Sequence, residues 1–336
     1  MAKEYYGIKT QQIEFDTDAL TMTMISTDQF FKNIAIHTMP ENMFNSQYLM
    51  FKANMFRGLS TQESGITPTD PQDIMALESL PYVSTFENFV SAKNETLLLT
   101  DADCVPASEH WMQLMQDGYD DDIEIVLGYG AYRKKPGILN KLIRFETFQT
   151  ALQYFSYALA GLPYMGVGRN LSYKKEVFLR NKGFSSINQM PSGDDDLFIN
   201  QVANKKNTAI VIDHDAHTIS EPKTTFQDWM NQKYRHYTTS KYYKTSHAAL
   251  LGLFAFSQFL VYPIFIAALI LTQQYILLIS LWALRLIVQG SILRGTMKKL
   301  NELDLWPWFV LFDFWSMFYY LFTLPSVWKA PQKNWN

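Results

Sequence analysis

From Ala248 to Leu324 the chain is almost continuously apolar and aromatic, whereas the residues before it have the mixed character of a water-soluble protein. That contrast divides the molecule into a soluble domain and a membrane domain before any motif is read. Three spans can be drawn. Ala248 to Leu271, interrupted by Gln258 and Pro263, is long enough to cross a hydrocarbon layer of about 30 Å as a helix. Tyr275 to Leu293 follows after Thr272-Gln273-Gln274, a connection so short that the first two helices must form an antiparallel hairpin. Leu305 to Leu324 is the third. Its rings, among them Trp306, Trp308, Trp315, Tyr319 and Tyr320, also suit a segment lying in the headgroup layer, and that alternative stays open.

Arg285 and Asp313 fall near the middles of the second and third segments, where a lone charge is costly, so the two are expected to pair. Lys233, Arg235, Lys241 and Lys244 precede the first span, and Arg294, Lys298 and Lys299 follow the second. Both flanks read as cytoplasmic, which puts the soluble domain in the cytoplasm. A net charge of −3 provides no general basic surface and argues against nucleic acid as a partner. Cys104 is the only cysteine, which excludes an internal disulfide and fits a reducing compartment. Met1-Ala-Lys-Glu-Tyr-Tyr lacks the apolar run of a signal peptide, so targeting is expected to come from the C-terminal helices.

After Asn94 the soluble half alternates strand and helix patterns, as an α/β domain does. Strands are expected at Glu95 to Thr100, Ile123 to Leu127, Leu171 to Tyr173 and Ala209 to Ile212. A helix capped by Ser108 should run toward Gln116, and an apolar, aromatic helix should cover Phe145 to Leu162.

Two acidic clusters carry the chemistry. Asp101-Ala102-Asp103 closes the first strand, where ligands of open α/β sheets gather, and alternate residues leaving a strand can turn toward one cation. Such triplets also build ordinary turns. Asp194-Asp195-Asp196 precedes an amphipathic run and reads as the first turn of a helix, where acidic side chains meet the positive end of the dipole. Capping accounts for one or two of the three. Crowded carboxylates raise one another's pKa, which suits a general base.

Between the clusters, Gly166-Val167-Gly168-Arg169-Asn170 allows close backbone approach and offers a cation for phosphate, although it is not a dinucleotide fingerprint and a plain turn would explain it too. Gln232 and Arg235 share one face of a helix beginning near Thr224 or Thr225, whose apolar stripe of Phe226, Trp229, Met230 and Tyr237 would also suit an interfacial anchor. His214, Asp215 and His217 have metal-ligand spacing but fit turn hydrogen bonds better.

These motifs, in this order, resemble a family 2 glycosyltransferase of the GT-A fold, bacterial and membrane-anchored, over about Ala92 to His247. The resemblance implies a Rossmann-related α/β domain followed by transmembrane helices in the cell inner membrane. It implies that Asp101 and Asp103 bind Mg²⁺ or Mn²⁺ on a nucleotide-sugar diphosphate. Gly168, Arg169 and Asn170 would line the donor and acceptor pocket, and Gln232 and Arg235 would approach the diphosphate. Asp194 takes the position of the catalytic base, with Asp195 its nearest competitor. The acceptor would be lipid-linked or a glycan, and the reaction metal-assisted and inverting. His236 stands where processive members carry Trp, which favours transfer of a single sugar.

The family's N-terminal nucleotide-binding half is not recognisable in Met1 to Val90, where only Thr21 to Ser26 shows weak alternation and the composition suggests partial disorder. The expected organisation is an atypical region at 1–90, a catalytic domain at 91–247, membrane helices at 248–324 and a tail at 325–336. Replacement of the N-terminal half by another sequence, a shifted reading frame and divergence are alternative origins of the first region. A metal-dependent phosphotransferase or hydrolase at the membrane, an inactive transferase remnant and a noncatalytic membrane protein are the competing functional readings.

Overall fold

The computed structural model describes residues 2–5, 8–11, 23–26, 94–101, 103–181, 183 and 195–328. The expected disorder at 1–90 and the expected base Asp194 fall largely or wholly outside them. Among the described residues the strands, β1 to β10, are Ala2–Tyr5, Ile8–Gln11, Thr23–Ser26, Thr96–Thr100, Val105–Pro106, Ile125–Leu127, Gly130–Tyr132, Leu171–Lys174, Thr208–Ile210 and Thr218–Ser220. Helices α1 to α8 are Trp111–Gln116, Ile138–Leu159, Lys175–Arg180, Asp196–Val202, Phe226–Tyr237, Thr245–Leu271, Tyr275–Lys299 and Phe309–Thr323.

The main sheet is mixed, in the order β3-β4-β8-β6-β9. Its centre is the run Leu97-Leu98-Leu99 in β4, with no more than 3% of any of the three exposed. A continuous apolar strand of this kind requires cover on both faces, and the twofold strand period distributes it. Leu97 and Leu99 face one side with Ile125, Leu127, Leu171 and Tyr173, against α2 and α4. Leu98 and Val126 face the other side and meet Trp111 and Met115 of α1. β3 runs parallel to β4, Thr23 opposite Leu97 through Ser26 opposite Thr100. The weakly alternating N-terminal stretch therefore supplies the edge strand beside the one that leads into Asp101.

A second, three-stranded sheet has the order β5-β10-β7. It brings the segment after Asp101 alongside the segment before α5, a pairing across more than a hundred residues.

The first helix differs from the expectation. Ser108 does not cap it: α1 begins at Trp111 after His110, whose side chain makes no capping bond. The Ser108 hydroxyl accepts the His110 N–H at 3.0 Å and donates to the Asp215 carbonyl at 2.9 Å, fastening a turn to a distant loop. Thr225 does cap α5, accepting the Asp228 N–H at 3.1 Å.

α2 is the hinge element between the two halves. Phe148, Ala151 and Tyr154 pack into the core of the soluble domain, while Phe145 meets Phe312 of α8 with ring centroids 5.0 Å apart. Arg144, 2% exposed, pairs with the equally buried Glu302 and with Asp304 beyond α7. Tyr129 donates to the same Glu302 at 3.2 Å. Lys233 of α5 is paired with Glu146 of α2 and nearly buried.

Among the described residues three segments are long and apolar enough to cross a membrane: Thr245–Leu271, Tyr275–Lys299 and Leu303–Val327. The third is broken, a 3-10 stretch at Leu303–Trp308 followed by α8. Asp313, 1% exposed, ties the bundle together. It accepts from Arg285 at 2.9 Å, from Gln289 at 2.6 Å and from the Tyr262 hydroxyl at 2.5 Å, so one carboxylate on α8 holds α6 and α7. The expected Arg285–Asp313 pair is present.

Candidate active site

The tight turn after β4 gathers the first cluster. The Asp101 carbonyl accepts the Cys104 N–H at 3.0 Å, and the turn draws the Asp101 and Asp103 carboxylates and the Cys104 thiol together, their ligand atoms within 4.8 Å of one another. Two carboxylate oxygens suit a hard divalent ion such as Mg²⁺ or Mn²⁺. The thiol is engaged elsewhere, 2.9 Å from the Ser220 hydroxyl. Burial, with the Asp101 charge adding to it, pushes the thiol up to about 12. Asp103 is exposed and Asp101 half-buried, so the pair opens toward solvent. The donor set fits a divalent cation shared with an oxygen-rich ligand.

The small sheet extends the site sideways. In β10, Ile219 lies opposite Val105 and Ser220 opposite Tyr132, so Cys104, Ser220 and Tyr132 fall in a row across three strands. Arg169 lies over that row, donating to the Ser220 hydroxyl at 3.2 Å, with its guanidinium 4.4 Å from the Tyr132 ring centre. The close approach depends on Gly130: a Cβ there would sit 3.0 Å from the Arg169 side chain. Arg169 acts electrostatically on Asp101, Cys104 and Asp195.

Arg169 is carried by the 3-10 turn Gly168–Asn170, and Asn170 braces that turn from below. Fully buried, it accepts from the Trp111 indole at 3.0 Å and donates to the carbonyls of Tyr129 and Ala216. Its side chain is committed inward, so of the three loop residues assigned to the pocket by the sequence, Arg169 has the side chain directed along it. Gly128 makes room for the brace, since a Cβ there would meet the Asn170 amide at 2.5 Å.

The second acidic cluster joins through Gly168. Asp195 accepts the Gly168 N–H at 2.6 Å with one oxygen and caps α4 with the other, accepting the Asp196 N–H at 2.8 Å. Asp196 points inward and accepts the hydroxyls of Thr239 and Tyr243. Burial raises the pKa of both carboxyls, and the Asp195 charge raises that of Asp196 further. The third acid, Asp194, lies outside the described residues.

α5 completes the arrangement. Arg235 interacts electrostatically with Asp101 and Tyr132, and burial lowers its guanidinium to about 10, which leaves it a cation at neutral pH. Gln232, one turn earlier on the same face, has a buried carbonyl oxygen with no hydrogen-bond partner among the described residues. Arg169 lies within electrostatic reach of Asp101 and Asp195, and Arg235 within that of Asp101, although the four span more than 130 positions of chain. The His214–His217 segment stays a structural turn, with Asp213 accepting the Asp215 N–H at 2.9 Å and His214 bonded to Asn301. Cys104, Ser220, Tyr132, Thr239 and Tyr243 were not marked by the sequence. Cys104 enters as the sequence neighbour of Asp103, whereas nothing local distinguishes the other four, which enter through strand register or loop closure.

The family model described as glycosyl transferase family group 2 matches residues 97–324. The chain belongs to that family. The match runs from β4 of the mixed sheet into the third of the long apolar helices found among the described residues. Among solved structures, it is similar to a mannosyltransferase, PcManGT from Pyrobaculum calidifontis, in complex with GDP-Man and Mn²⁺. The identity is 14%, the TM-score 0.35, and the alignment covers 68% of this chain and 64% of that one, just under two thirds of its length. No curated protein matches the chain.

Proposed function

We propose that this transferase moves a sugar from a nucleotide-diphosphate donor to a lipid-linked or glycan acceptor at the cytoplasmic face of the inner membrane, one sugar at a time and with inversion. The observation that carries the reading is the meeting of a two-carboxylate cluster with two guanidinium groups and a further buried carboxylate, Asp195. Carboxylates that share a cation with a diphosphate, beside arginines that bind its remaining oxygens, are what departure of a nucleoside diphosphate requires.

Asp101 and Asp103 would hold Mg²⁺ or Mn²⁺, which when bound neutralises charge on the leaving diphosphate. Arg169, held over Tyr132 and Ser220, and Arg235 orient the diphosphate. The unpartnered Gln232 oxygen gives α5 an acceptor for a donor hydroxyl. The base comes from Asp194 or Asp195. It takes the acceptor hydroxyl's proton as that oxygen attacks the anomeric carbon from the face opposite the leaving group, which inverts the configuration. Asp195 is supported by its burial, which raises its proton affinity, and by its bond to the arginine-bearing loop.

The test measures nucleoside diphosphate release by the full-length protein in membranes, over a panel of nucleotide sugars with Mn²⁺, together with free phosphate. Release of nucleoside diphosphate with sugar recovered on an acceptor supports the reading. Phosphate release without sugar transfer supports the phosphotransferase or hydrolase alternative and overturns it.

A further inference from the structure

The end of α7 reaches the loop that carries Arg169. Leu300 closes the helix, and Asn301 turns the chain with φ 56°, a left-handed conformation that asparagine tolerates better than most residues. The Asn301 N–H bonds to the Lys298 carbonyl at 3.4 Å and the Glu302 N–H to the Met297 carbonyl at 2.7 Å. These are the two bonds of a Schellman cap, and they fix both residues to the helix end.

Each of the two side chains ties down one of the segments that hold Asn170. Glu302, 2% exposed, accepts the Tyr129 hydroxyl at 3.2 Å with one oxygen and the Arg144 Nε–H at 3.0 Å with the other. The Asn301 amide lies 2.7 Å from Nε2 of His214, in the turn His214–Ala216. Asn170 in turn donates to the Tyr129 carbonyl at 3.0 Å and to the Ala216 carbonyl at 2.8 Å. Adjacent residues of one helix cap thus lead, by separate routes, to the two acceptors of one buried amide. Thr218 closes the bracket, donating its N–H to the Tyr129 carbonyl at 3.2 Å and its hydroxyl to the Arg169 carbonyl at 2.8 Å.

The turn Gly168–Asn170 is three residues long and closes through the bond from the Asn170 N–H to the Val167 carbonyl at 2.9 Å. Its direction is therefore set from outside, by Asp195 at Gly168 and by the two carbonyls at Asn170. We propose that Asn301, Glu302 and Tyr129 are positioning residues for Arg169, so that the seating of α7 among the membrane helices sets the grip of the site on the donor diphosphate. The diphosphate-binding role of Arg169 rests on the transferase reading above, whereas the latch from α7 to the turn rests on the bonds alone.

Tyr129→Phe removes the hydroxyl and keeps the ring edge-on to His217, with centroids 5.0 Å apart. Asn301→Gly removes the amide and keeps both the left-handed backbone and the carbonyl that accepts the Lys134 ammonium at 2.6 Å. Tyr262→Phe is the control, because its hydroxyl also donates to a buried carboxylate, that of Asp313 on α8 rather than one on the cap of α7. The full-length protein in nanodiscs is followed by hydrogen–deuterium exchange of the peptide Met165–Leu171, in which the Gly168 and Asn170 amides are both bonded. Mn²⁺-dependent binding of UDP and GDP is measured by calorimetry in each variant, alone and combined with Arg169→Ala.

The expected result is exchange of that peptide about three- to tenfold faster in Tyr129→Phe and in Asn301→Gly, with β6 unchanged and Tyr262→Phe like the parent. Nucleotide binding weakens by a similar factor in each, and weakens no further when either is placed in the Arg169→Ala background. Parental exchange in both variants, or equal acceleration in Tyr262→Phe, overturns the proposal. A loss of binding that persists undiminished in the Arg169→Ala background overturns it too, because the residues would then act by some route other than Arg169. Accelerated exchange in a protein that binds neither nucleotide upholds the latch and sinks the donor reading instead.

Discussion

Asp195 and Asp196 are adjacent carboxylates with different surroundings. Asp195 accepts two backbone N–H groups and lies against the Gly168 turn, whereas Asp196 is turned inward onto two hydroxyls. Burial raises both pKa values, so a base drawn from this pair gives a rate that falls on acidification at a pH above the ordinary aspartate value of about 3.9. The Asp195 charge makes Asp196 the second of the pair to ionise, so Asp196→Asn should leave the acid limb of an Asp195 base where it stands, as read from the pH profile of kcat/KM. The sign for stability is opposite. Because the folded state holds these protons more tightly than the unfolded chain, the pair's contribution is fully present below about pH 4 and is lost as pH rises through the raised values.

Asp195→Asn should reduce turnover by a factor of about 10²–10⁴ with donor binding retained if Asp195 is the base. A comparable loss in Asp194→Asn alone would transfer the role to its neighbour. Sequence reading selected the cluster because three acids exceed what capping uses, but it could not assign inward and outward directions. Those depend on Thr239 and Tyr243, more than forty residues away. Gly128 is a similar case: its need for no side chain is set by Asn170, and Gly128→Ala should cost about 1–3 kcal/mol of stability through overpacking, read as a lowered thermal midpoint.

At the scale of elements, what was legible were periodic patterns and what was not were pairings. The apolar run of β4, the start of α5 near Thr225 and the Arg285–Asp313 pair all follow from composition at a given spacing and are present in the structure. The short strands β5, β7 and β10 carry two or three residues each, too few for any period to register, yet they assemble the row that seats Arg169. Arg144 was invisible for a different reason. A lone arginine within an aromatic helix reads as a surface charge until Glu302 and Asp304 arrive from beyond α7. Glu302→Ala should cost about 3 kcal/mol, the low end for a broken buried pair because Asp304 remains, with unfolding followed by circular dichroism in detergent. An unchanged midpoint would remove this pair as the clamp between the soluble half and the membrane helices.

Across the whole molecule, the division into a soluble α/β half and an apolar helical half was readable from hydropathy alone, and the family match spans both. The N-terminal strand was not readable as part of the sheet, because Thr23–Ser26 has little apolar character and depends on β4 for its pairing. α5 touches both halves: Arg235 feels the Asp101 charge, and Trp229 stacks on Tyr319 of α8 with ring centroids 5.7 Å apart.

The central claim is that the carboxylates after β4 hold a divalent ion against a nucleoside diphosphate. Titration calorimetry of UDP and GDP into the full-length protein, with and without Mn²⁺, tests it most directly. The account predicts Mn²⁺-dependent binding of one of the two, weakened about tenfold or more in Asp103→Ala. Equal affinity in Asp103→Ala and the parent protein, or binding indifferent to the metal, would contradict it.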